Sequence, residues 1–265
     1  MIKHVFAVAA YGESPYLPAL LQSLQNQSIK SKIIICTSTP NAYITGLSAR
    51  FSVPVYVHEG RHGLRNDWNF AYEEGAKLAP LVTIAHQDDV YHRDYTKALL
   101  HAYKLFPDMS VFCCRYETID AESKGINGEA ENVKRLLRLP LRLHRLSNRS
   151  FVKLLPLRFG NGIGCPTCTY NVSYCEAPLF RNDYHFVIDW ETLIRLARLP
   201  GRFICIEKPL VSYRVHAGAE TMRNIENHNR EKEEAEIFES LYGKNFTKLL
   251  MHFYRKSYTA YTNEK

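Results

Sequence analysis

The sequence predicts an α/β protein built on a mostly parallel, Rossmann-like sheet flanked by helices. Short apolar segments alternate with segments of helical character over residues 5–115, which is the rhythm of βαβ units. Several predicted strands end in polar or acidic residues, and open α/β sheets bind ligands beyond the carboxyl ends of their strands. A chain of 265 residues with 46% hydrophobic residues is also large enough to bury a substantial core.

The first half predicts strands and helices in alternation. The apolar run at residues 5–9 predicts the first strand, and Pro15, which suits a first helical turn, opens a helix over 15–25. The next predicted elements are a strand at 33–36, a helix ending at 50, a strand at 53–57, a helix over 66–77, a strand at 81–85, a helix over 94–105 and a strand at 110–115.

The alternation breaks after Tyr116. Residues 117–168 contain a polar stretch, a basic stretch and a glycine-rich loop, and we interpret them as an insertion. A helix over 189–199 and strands at 202–206 and 210–216 follow, and apolar residues at helical spacing predict a helical tail. We therefore expect one domain over 1–223, made of a first half (1–116), the insertion (117–168) and a second half (169–223), with a helical extension over 224–265.

The positive charge is concentrated in one window from Lys134 to Arg158. This basic window holds eight Lys or Arg and no Asp or Glu, and the rest of the chain is close to neutral. Phe151 is its single aromatic residue, so a nucleic-acid groove with stacking aromatics is not expected. Leucines interleave with the arginines, which is compatible with a short amphipathic segment on an anionic membrane surface or with a solvated helical face.

Composition also bears on the compartment. No run approaches the roughly 20 apolar residues that span a bilayer, and the first ten residues do not resemble a secretion signal. The seven cysteines are an odd number, which favours reduced thiols over disulfides. Cys165 and Cys168 have the spacing of a zinc knuckle, but no second pair follows, so packed thiols are favoured. A cytoplasmic protein, peripheral on the inner face of the membrane if the basic window binds lipid, is expected.

The most informative motif is Asp88-Asp89, which directly follows the strand predicted at 81–85. Two carboxylates at the carboxyl end of a buried strand are suited to bind a hard divalent cation beside a phosphate. Taken alone, the pair is also ordinary turn chemistry. Whether the pair is a metal site or a simple turn depends on which residues lie at the ends of the neighbouring strands.

Two clusters lie at other strand ends and helix starts of the first half. Tyr11 and Glu13 follow the first strand, where a ring and a carboxylate suit a nucleobase, although the segment could be a turn that caps a helix. Asp67 lies at the start of the helix over 66–77, and helix capping is the alternative to a ligand contact.

A further cluster lies in the second half. Arg214 and His216 point to the same face of a predicted strand and could together address a phosphate or complete a metal site. Asp189 begins a predicted helix, where capping is the ordinary role. The same position lets its carboxylate face the cleft from a rigid support.

In this order the motifs resemble those of the inverting family 2 glycosyltransferases, which have the glycosyltransferase-A fold. The resemblance is carried by AAYGESPYLPALLQSLQNQS (9–28), NDWNFAYEEG (66–75), IAHQDDVY (84–91) and DWETLIRLARLPGRFICIEKPLVSYRVHAGAET (189–221). It covers the first 115 residues and the stretch from about 160 to 223. It implies a nucleotide-sugar-binding half over 1–116 and an acceptor and catalytic half over 169–223.

The resemblance also implies a role for each matching residue. Asp88 would be the metal ligand and Asp189 the catalytic base, with Trp190 lining the acceptor site. Asp89 would contact the donor sugar or support the metal, and His216 with Arg214 would reach the metal or the diphosphate. The residues implied to contact the nucleotide or the sugar are Ala9, Tyr11, Glu13, Thr37, Asp67, Asp89 and Arg214.

Two positions depart from the family pattern. Acidic residues commonly follow the second strand in the family, but Thr37-Ser38-Thr39-Pro40 stands there, which leaves the identity of the base open. The metal motif often begins with Asp, whereas this chain has His86, so coordination would depend more on Asp88 and the diphosphate.

The expected activity is a metal-dependent inverting transfer from a nucleotide-diphosphate sugar to a hydroxyl of a glycan or lipid-linked acceptor, in cell-surface polysaccharide synthesis. Mn²⁺ or Mg²⁺ is the expected cofactor, and a UDP-sugar is favoured as donor over a dTDP-sugar. The alternative is a non-catalytic, membrane-docked scaffold that binds a sugar nucleotide. A nucleotidyltransferase is less favoured because no glycine-rich, lysine-containing phosphate loop is present.

Overall fold

The computed structural model describes residues 2–126, 129–216, 218 and 229–252. Within these residues nine strands form one sheet, and the α/β fold expected from the sequence is confirmed. The strands are β1 (His4–Ala10), β2 (Lys32–Thr37), β3 (Val55–Val57), β4 (Leu81–His86), β5 (Val90–Tyr91), β6 (Met109–Ile119), β7 (Gly125–Ile126), β8 (Thr169–Asn171) and β9 (Arg202–Arg214). The helices are α1 (Leu17–Gln25), α2 (Ala42–Phe51), α3 (Leu64–Ala76), α4 (Tyr95–Leu105), α5 (Glu129–Leu137), α6 (Ser150–Arg158), α7 (Ile188–Arg198) and α8 (Asn229–Tyr242), with 3₁₀ turns at Leu139–Arg142 and Cys165–Thr167.

The sheet has the strand order β3-β2-β1-β4-β8-β6-β9-β5, and β7 pairs with β6. Strands β3, β2, β1 and β4 are mutually parallel, so their carboxyl ends meet at one edge. The run of β1 is buried on both faces, with Val5 and Ala7 in one core cluster and Phe6 and Val8 in the other. Burial on both faces explains why this strand reads as continuous apolar sequence.

The second half of the sheet is mixed. Short β8 runs antiparallel to both β4 and β6, and β9 runs parallel to β6. The two strands predicted at 202–206 and 210–216 are one strand in the structure, so that prediction is wrong. Pro209 sits where the pairing of β9 with β6 shifts register, because a bulge tolerates a residue that lacks the N–H donor.

The insertion and the tail both pack on the same face of the sheet. Leu141, Leu157 and Ile163 from the insertion and Phe238 from α8 belong to the core cluster that also contains α7. Residues 244–252 form a further helical segment. The expected boundary at 223 and the motif residues 219–223 lie outside the described part of the chain, and the domain division stays a prediction. No described helix has the length and hydropathy needed to cross a bilayer.

Candidate active site

Asp88 lies in the turn after β4, at the carboxyl edge of the parallel strands. Its Oδ1 accepts a hydrogen bond from the Ser14 hydroxyl at 3.0 Å, and its Oδ2 lies 3.2 Å from Nε2 of His216. The side chains of Asp88 and His216 are 27% and 14% exposed, so both reach the surface of the cleft. The structure thus brings together two residues that are 128 positions apart in the chain and that were assigned to one metal site.

The chemistry of this pair fits a divalent cation. Nε2 of His216 is buried and makes no hydrogen bond of acceptable geometry with the described residues, which leaves it facing the Asp88 carboxylate as an unsatisfied donor atom. Imidazole nitrogen and carboxylate oxygen are both ligands for Mn²⁺. Among the described residues no group of three or more His, Cys, Asp or Glu could hold a metal. A metal held by Asp88 and His216 would take further ligands from the substrate and water.

Asp89 and Arg214 do not face the cleft, although both were assigned to nucleotide or sugar contact. Both are 2% exposed. Oδ1 of Asp89 accepts from the Arg214 backbone N–H at 3.0 Å, and burial raises the pKa of this carboxyl to about 8. The guanidinium of Arg214 donates to the Asp88 carbonyl at 2.8 Å and to the Asp120 carbonyl at 2.8 Å. These two residues hold the turn that presents Asp88, which is a correction to their expected direct contact.

The segment after β1 reaches the same edge. Ala9 is partly exposed in β1 beside His86. Tyr11 is 60% exposed, and its backbone N–H donates to the Gln87 side chain at 2.8 Å. Glu13 is exposed. The two side chains are free to contact a ligand, and their assignment to the nucleoside stays a prediction.

Asp67 is held by the ends of two strands. Its Oδ2 accepts from the Ser38 hydroxyl at 3.1 Å, and its Oδ1 lies 2.9 Å from Nδ1 of His58. The helix N-cap is Gly63, and Oδ2 of Asp67 also accepts from the Gly63 backbone N–H at 3.4 Å, so the carboxylate contacts the start of α3 as well. The residue binds together the loops after β2 and β3 at the carboxyl edge, where its assignment to the nucleoside stays a prediction.

Thr37 and His86 have structural partners of their own. Thr37 is 2% exposed, and its hydroxyl accepts from the Thr39 N–H at 3.1 Å. This closes the turn after β2 and does not fit a side chain that touches a nucleotide.

The ring of His86 stacks on Trp68 with centroids 4.8 Å apart, and burial lowers its pKa to about 4. The His86 ring is therefore neutral, and together with Trp68 it forms an aromatic pair two residues before Asp88.

Asp189 lies in the first turn of α7. Its Oδ2 accepts from the Asn161 amide at 2.8 Å and its Oδ1 from the Trp190 backbone N–H at 2.8 Å. Burial raises the pKa of this carboxyl, whereas the positive charge of Lys134 and the bonds from Trp190 and Asn161 lower it. A carboxylate with a raised pKa is a stronger base once it is deprotonated.

The loop of Cys165 joins the two carboxylate regions. At its start Asn161 donates to Asp189 at 2.8 Å, and at its end the Pro166 carbonyl accepts from the hydroxyl of Tyr91, two residues after Asp89, at 2.6 Å. All seven cysteines are free. Cys168 is 1% exposed and its thiol donates to the Gly164 carbonyl at 3.6 Å, so it is packed in the core.

Trp190 does not line the cleft. Its side chain is 2% exposed, its indole N–H donates to the Leu157 carbonyl at 2.9 Å, and its ring packs edge-on against Phe238. The expected contact with an acceptor is therefore corrected: the Trp190 side chain packs α7 against α6 and α8.

The tail also fixes the segment that leads into α7, which the sequence did not indicate. The buried carboxylate of Glu233 in α8 accepts from the backbone N–H groups of His185, Phe186 and Val187 at 2.8, 2.7 and 3.2 Å. Three N–H groups at a helix start ordinarily need a local capping residue. Here the acceptor comes from 46 to 48 residues further along the chain, and a local motif search cannot find it.

Comparisons with known proteins bear on the fold. No protein-family model matches the chain, and no curated protein matches it in sequence. The S. aureus TarS 1–349 structure in complex with UDP-GlcNAc superposes with a TM-score of 0.61 at 14% identity, covering 83% of this chain and 60% of that one. Glucosyl-3-phosphoglycerate synthase from Mycobacterium tuberculosis, in complex with Mn²⁺ and UDP-glucose, superposes with a TM-score of 0.53 at 11% identity, covering 87% of this chain and 76% of that one.

This chain thus spans about 60% of the length of the TarS structure. At these identities the likeness concerns architecture. The fold implied by the order of the sequence motifs is confirmed by both superpositions. The chain has the glycosyltransferase-A fold.

Proposed function

We propose that the protein is a metal-dependent inverting glycosyltransferase that moves a sugar from a nucleotide diphosphate to an acceptor hydroxyl. The observation that carries this proposal is the pairing of Asp88 with His216 after β4, and Asp189, held by Asn161 in the first turn of α7, is the proposed base. A binding protein needs no base. The membership of family 2 rests on the order of the sequence motifs.

The solved neighbours support the donor class. The TarS structure holds UDP-GlcNAc, and the synthase structure holds Mn²⁺ and UDP-glucose. A UDP-sugar is therefore favoured here, with a dTDP-sugar as the alternative because no acidic residue follows β2. The acceptor is a hydroxyl of a glycan or lipid-linked molecule, and the setting is cell-surface polysaccharide synthesis on the cytoplasmic side of the membrane.

The roles follow from charge. A divalent cation held by Asp88 and His216 would supply positive charge next to the departing diphosphate. Ser14 and the Arg214 guanidinium hold Asp88 in place for this task. Asp189 accepts the proton of the acceptor hydroxyl while the hydroxyl oxygen attacks the anomeric carbon from the side opposite the diphosphate. A single displacement of this kind inverts the configuration.

The donor class can be tested with a panel of UDP-, dTDP- and GDP-sugars. Each is added with Mn²⁺ in thermal-shift measurements, and the stabilising donors are then assayed for turnover. We expect one nucleotide class to raise Tm in the presence of Mn²⁺ and to be consumed. No stabilisation by any donor would contradict the proposal.

Slow hydrolysis of the same donor without acceptor separates an enzyme from a scaffold of the same fold. A competent site transfers the sugar to water at a low rate and releases the nucleoside diphosphate. Donor binding without any hydrolysis or transfer would favour the non-catalytic scaffold.

A further inference from the structure

Residues 133–151 have an inverted distribution of polarity. In a water-soluble helical surface the leucines face inward and the charged residues face outward. Here two polar side chains, Arg138 and Ser147, are completely buried, whereas four of the six leucines are exposed beside the other arginines. We define the leucine–arginine surface by its exposed members, which are Val133, Arg135, Leu136, Leu139, Arg142, Leu143, Arg145, Leu146, Arg149 and Phe151.

The buried polar residues hold this segment to the rest of the protein through hydrogen bonds and an ion pair. Arg138 is 0% exposed, donates to the Gly162 carbonyl at 2.7 Å and pairs with Glu131 at 2.5 Å. Ser147 and Lys153 are also 0% exposed. The ammonium of Lys153, just beyond this stretch, donates to the carbonyls of Leu199 and Gly201 at 2.6 and 2.8 Å. These bonds fix which face of the segment looks outward.

The outward face is strongly apolar. Leu136, Phe151 and Leu143 are 66%, 64% and 58% exposed, and Leu146 and Leu139 are 46% and 39% exposed. Isolated exposed leucines need no explanation, but a concentration of them marks an interaction surface. The segment is held in place by its buried polar contacts. Its fold therefore does not depend on burying these leucines, which remain available for a partner.

The charge of the surface selects the partner. Arg135 and Arg142 share Glu207 at 3.7 and 3.1 Å, whereas no ion pair involves Arg145 or Arg149 in the described part of the chain. No acidic residue occurs between Lys134 and Arg158. An apolar surface with unopposed arginines is complementary to an anionic lipid bilayer, whose acyl region accepts leucines and whose head groups accept arginines. We propose that the leucine–arginine surface docks this protein on an anionic membrane.

The docking surface is connected to the cleft through α5. Glu131, Lys134 and Arg138 are spaced three and four residues apart and face the protein, whereas Val133 and Leu136 lie on the outer side. Arg138, directly after α5, donates to the Gly162 carbonyl at 2.7 Å, and the neighbouring Asn161 donates to Asp189 at 2.8 Å. Docking therefore brings the Asp189 side of the cleft close to the lipid surface. That consequence rests on the proposed function, but the docking itself does not.

The test is co-sedimentation of the full chain with vesicles of phosphatidylcholine alone and of phosphatidylcholine with an equal amount of phosphatidylglycerol. We expect binding to the anionic vesicles that weakens as salt rises. The variants Leu143→Gln/Leu146→Gln and Arg145→Gln/Arg149→Gln should each lower the partition coefficient by about tenfold or more, given roughly 1 kcal/mol per arginine near the surface. The control variant Leu105→Gln/Arg93→Gln, with both positions exposed on α4 and the loop before it, should bind like the wild type.

Three outcomes would overturn the proposal. The wild type could remain in the supernatant with anionic vesicles at low salt. The leucine variant could bind as tightly as the wild type. Binding would then be electrostatic only, and the leucines would not enter the bilayer. The wild type could instead dimerise through this surface, with a monomeric leucine variant in sedimentation equilibrium and no vesicle binding. Thermal unfolding of each variant shows that a loss of binding is not a loss of fold, and donor binding, measured separately, reports on the proposed function.

Discussion

Residues 1–116 place their site residues at the ends of regular parallel strands, whereas residues 129–252 place Asp189 through side-chain bonds between distant segments. In the first region Asp88 lies two residues after β4, and Tyr11 follows β1 directly. In the second region Asp189 is held by Asn161, and the approach to its helix is held by Glu233. The first arrangement depends on sheet register, and the second depends on a few polar contacts.

This difference separates two kinds of failure. A substitution at the parallel edge should damage donor and metal binding, because the proposed metal ligands Asp88 and His216 lie there. A substitution around α7 should damage the transfer step and leave donor binding intact.

The largest effect is expected for Asp189→Asn. The amide cannot accept the acceptor proton, and general-base catalysis is typically worth about 10²- to 10⁴-fold in rate. Turnover on the identified donor should fall by that factor, and donor affinity measured by calorimetry should not change. Asp183→Asn is the matched control, because that carboxylate is 95% exposed and only six residues away. Full transfer by Asp189→Asn would show that the base lies elsewhere.

The substitution Asp88→Asn should act on the other side of the division. Loss of the carboxylate removes one of the proposed metal ligands and the group that lies 3.2 Å from Nε2 of His216. We expect the affinity for donor in the presence of Mn²⁺ to fall by more than about tenfold, since metal ligands contribute several kcal/mol of charge stabilisation. Affinity without Mn²⁺ should change little. Calorimetry with and without the metal measures both, and an equal loss in both conditions would argue against a metal role.

The sequence predicted the parallel half well because its signals are local. An apolar run that ends in Asp88-Asp89 defines both a strand and the position of a carboxylate, and each lies where it was expected. The long strand β9 was divided in the prediction because Pro209 ordinarily ends a strand, and only its pairing with β6 shows that a bulge absorbs it.

Burial was the harder property to predict. The resemblance implied that Asp89, Arg214 and Trp190 touch substrate or acceptor, yet all three are 2% exposed. Motif matching locates a residue on the cleft edge, but it does not show which side of the backbone faces the cleft. Glu233 gave no signal at all, because a carboxylate in a charged helix is ordinarily solvated and its three N–H partners lie far away in sequence.

A smaller effect is expected for Glu233→Ala, which tests the remote clamp on α7. The variant leaves three N–H groups without their acceptor, and an unsatisfied buried donor costs about 1–3 kcal/mol. We expect a lower free energy of unfolding and a several-fold lower kcat, with the donor KM unchanged. Glu233→Gln, which keeps one acceptor oxygen, should recover part of both. Glu236→Ala, on the exposed side of the same helix, should match the wild type. If donor affinity fell by the same factor as kcat, the α7 region would also contribute to donor binding, and the proposed division between the two regions would be wrong.

The smallest effect is a shift in pH dependence. Asp189 must be deprotonated to act as a base, so the rate is lost as pH falls through its pKa. Burial raises this pKa, and the charge of Lys134 and the hydrogen bond from Asn161 lower it. Lys134→Met and Asn161→Ala should therefore each raise it further and move the acid limb of kcat/KM to higher pH, whereas Arg135→Met, one residue along α5 and paired with Glu207, should leave the limb in place. An acid limb that moves to lower pH in either variant would mean that the titrating group is not Asp189, because both losses act on its carboxylate in the same direction.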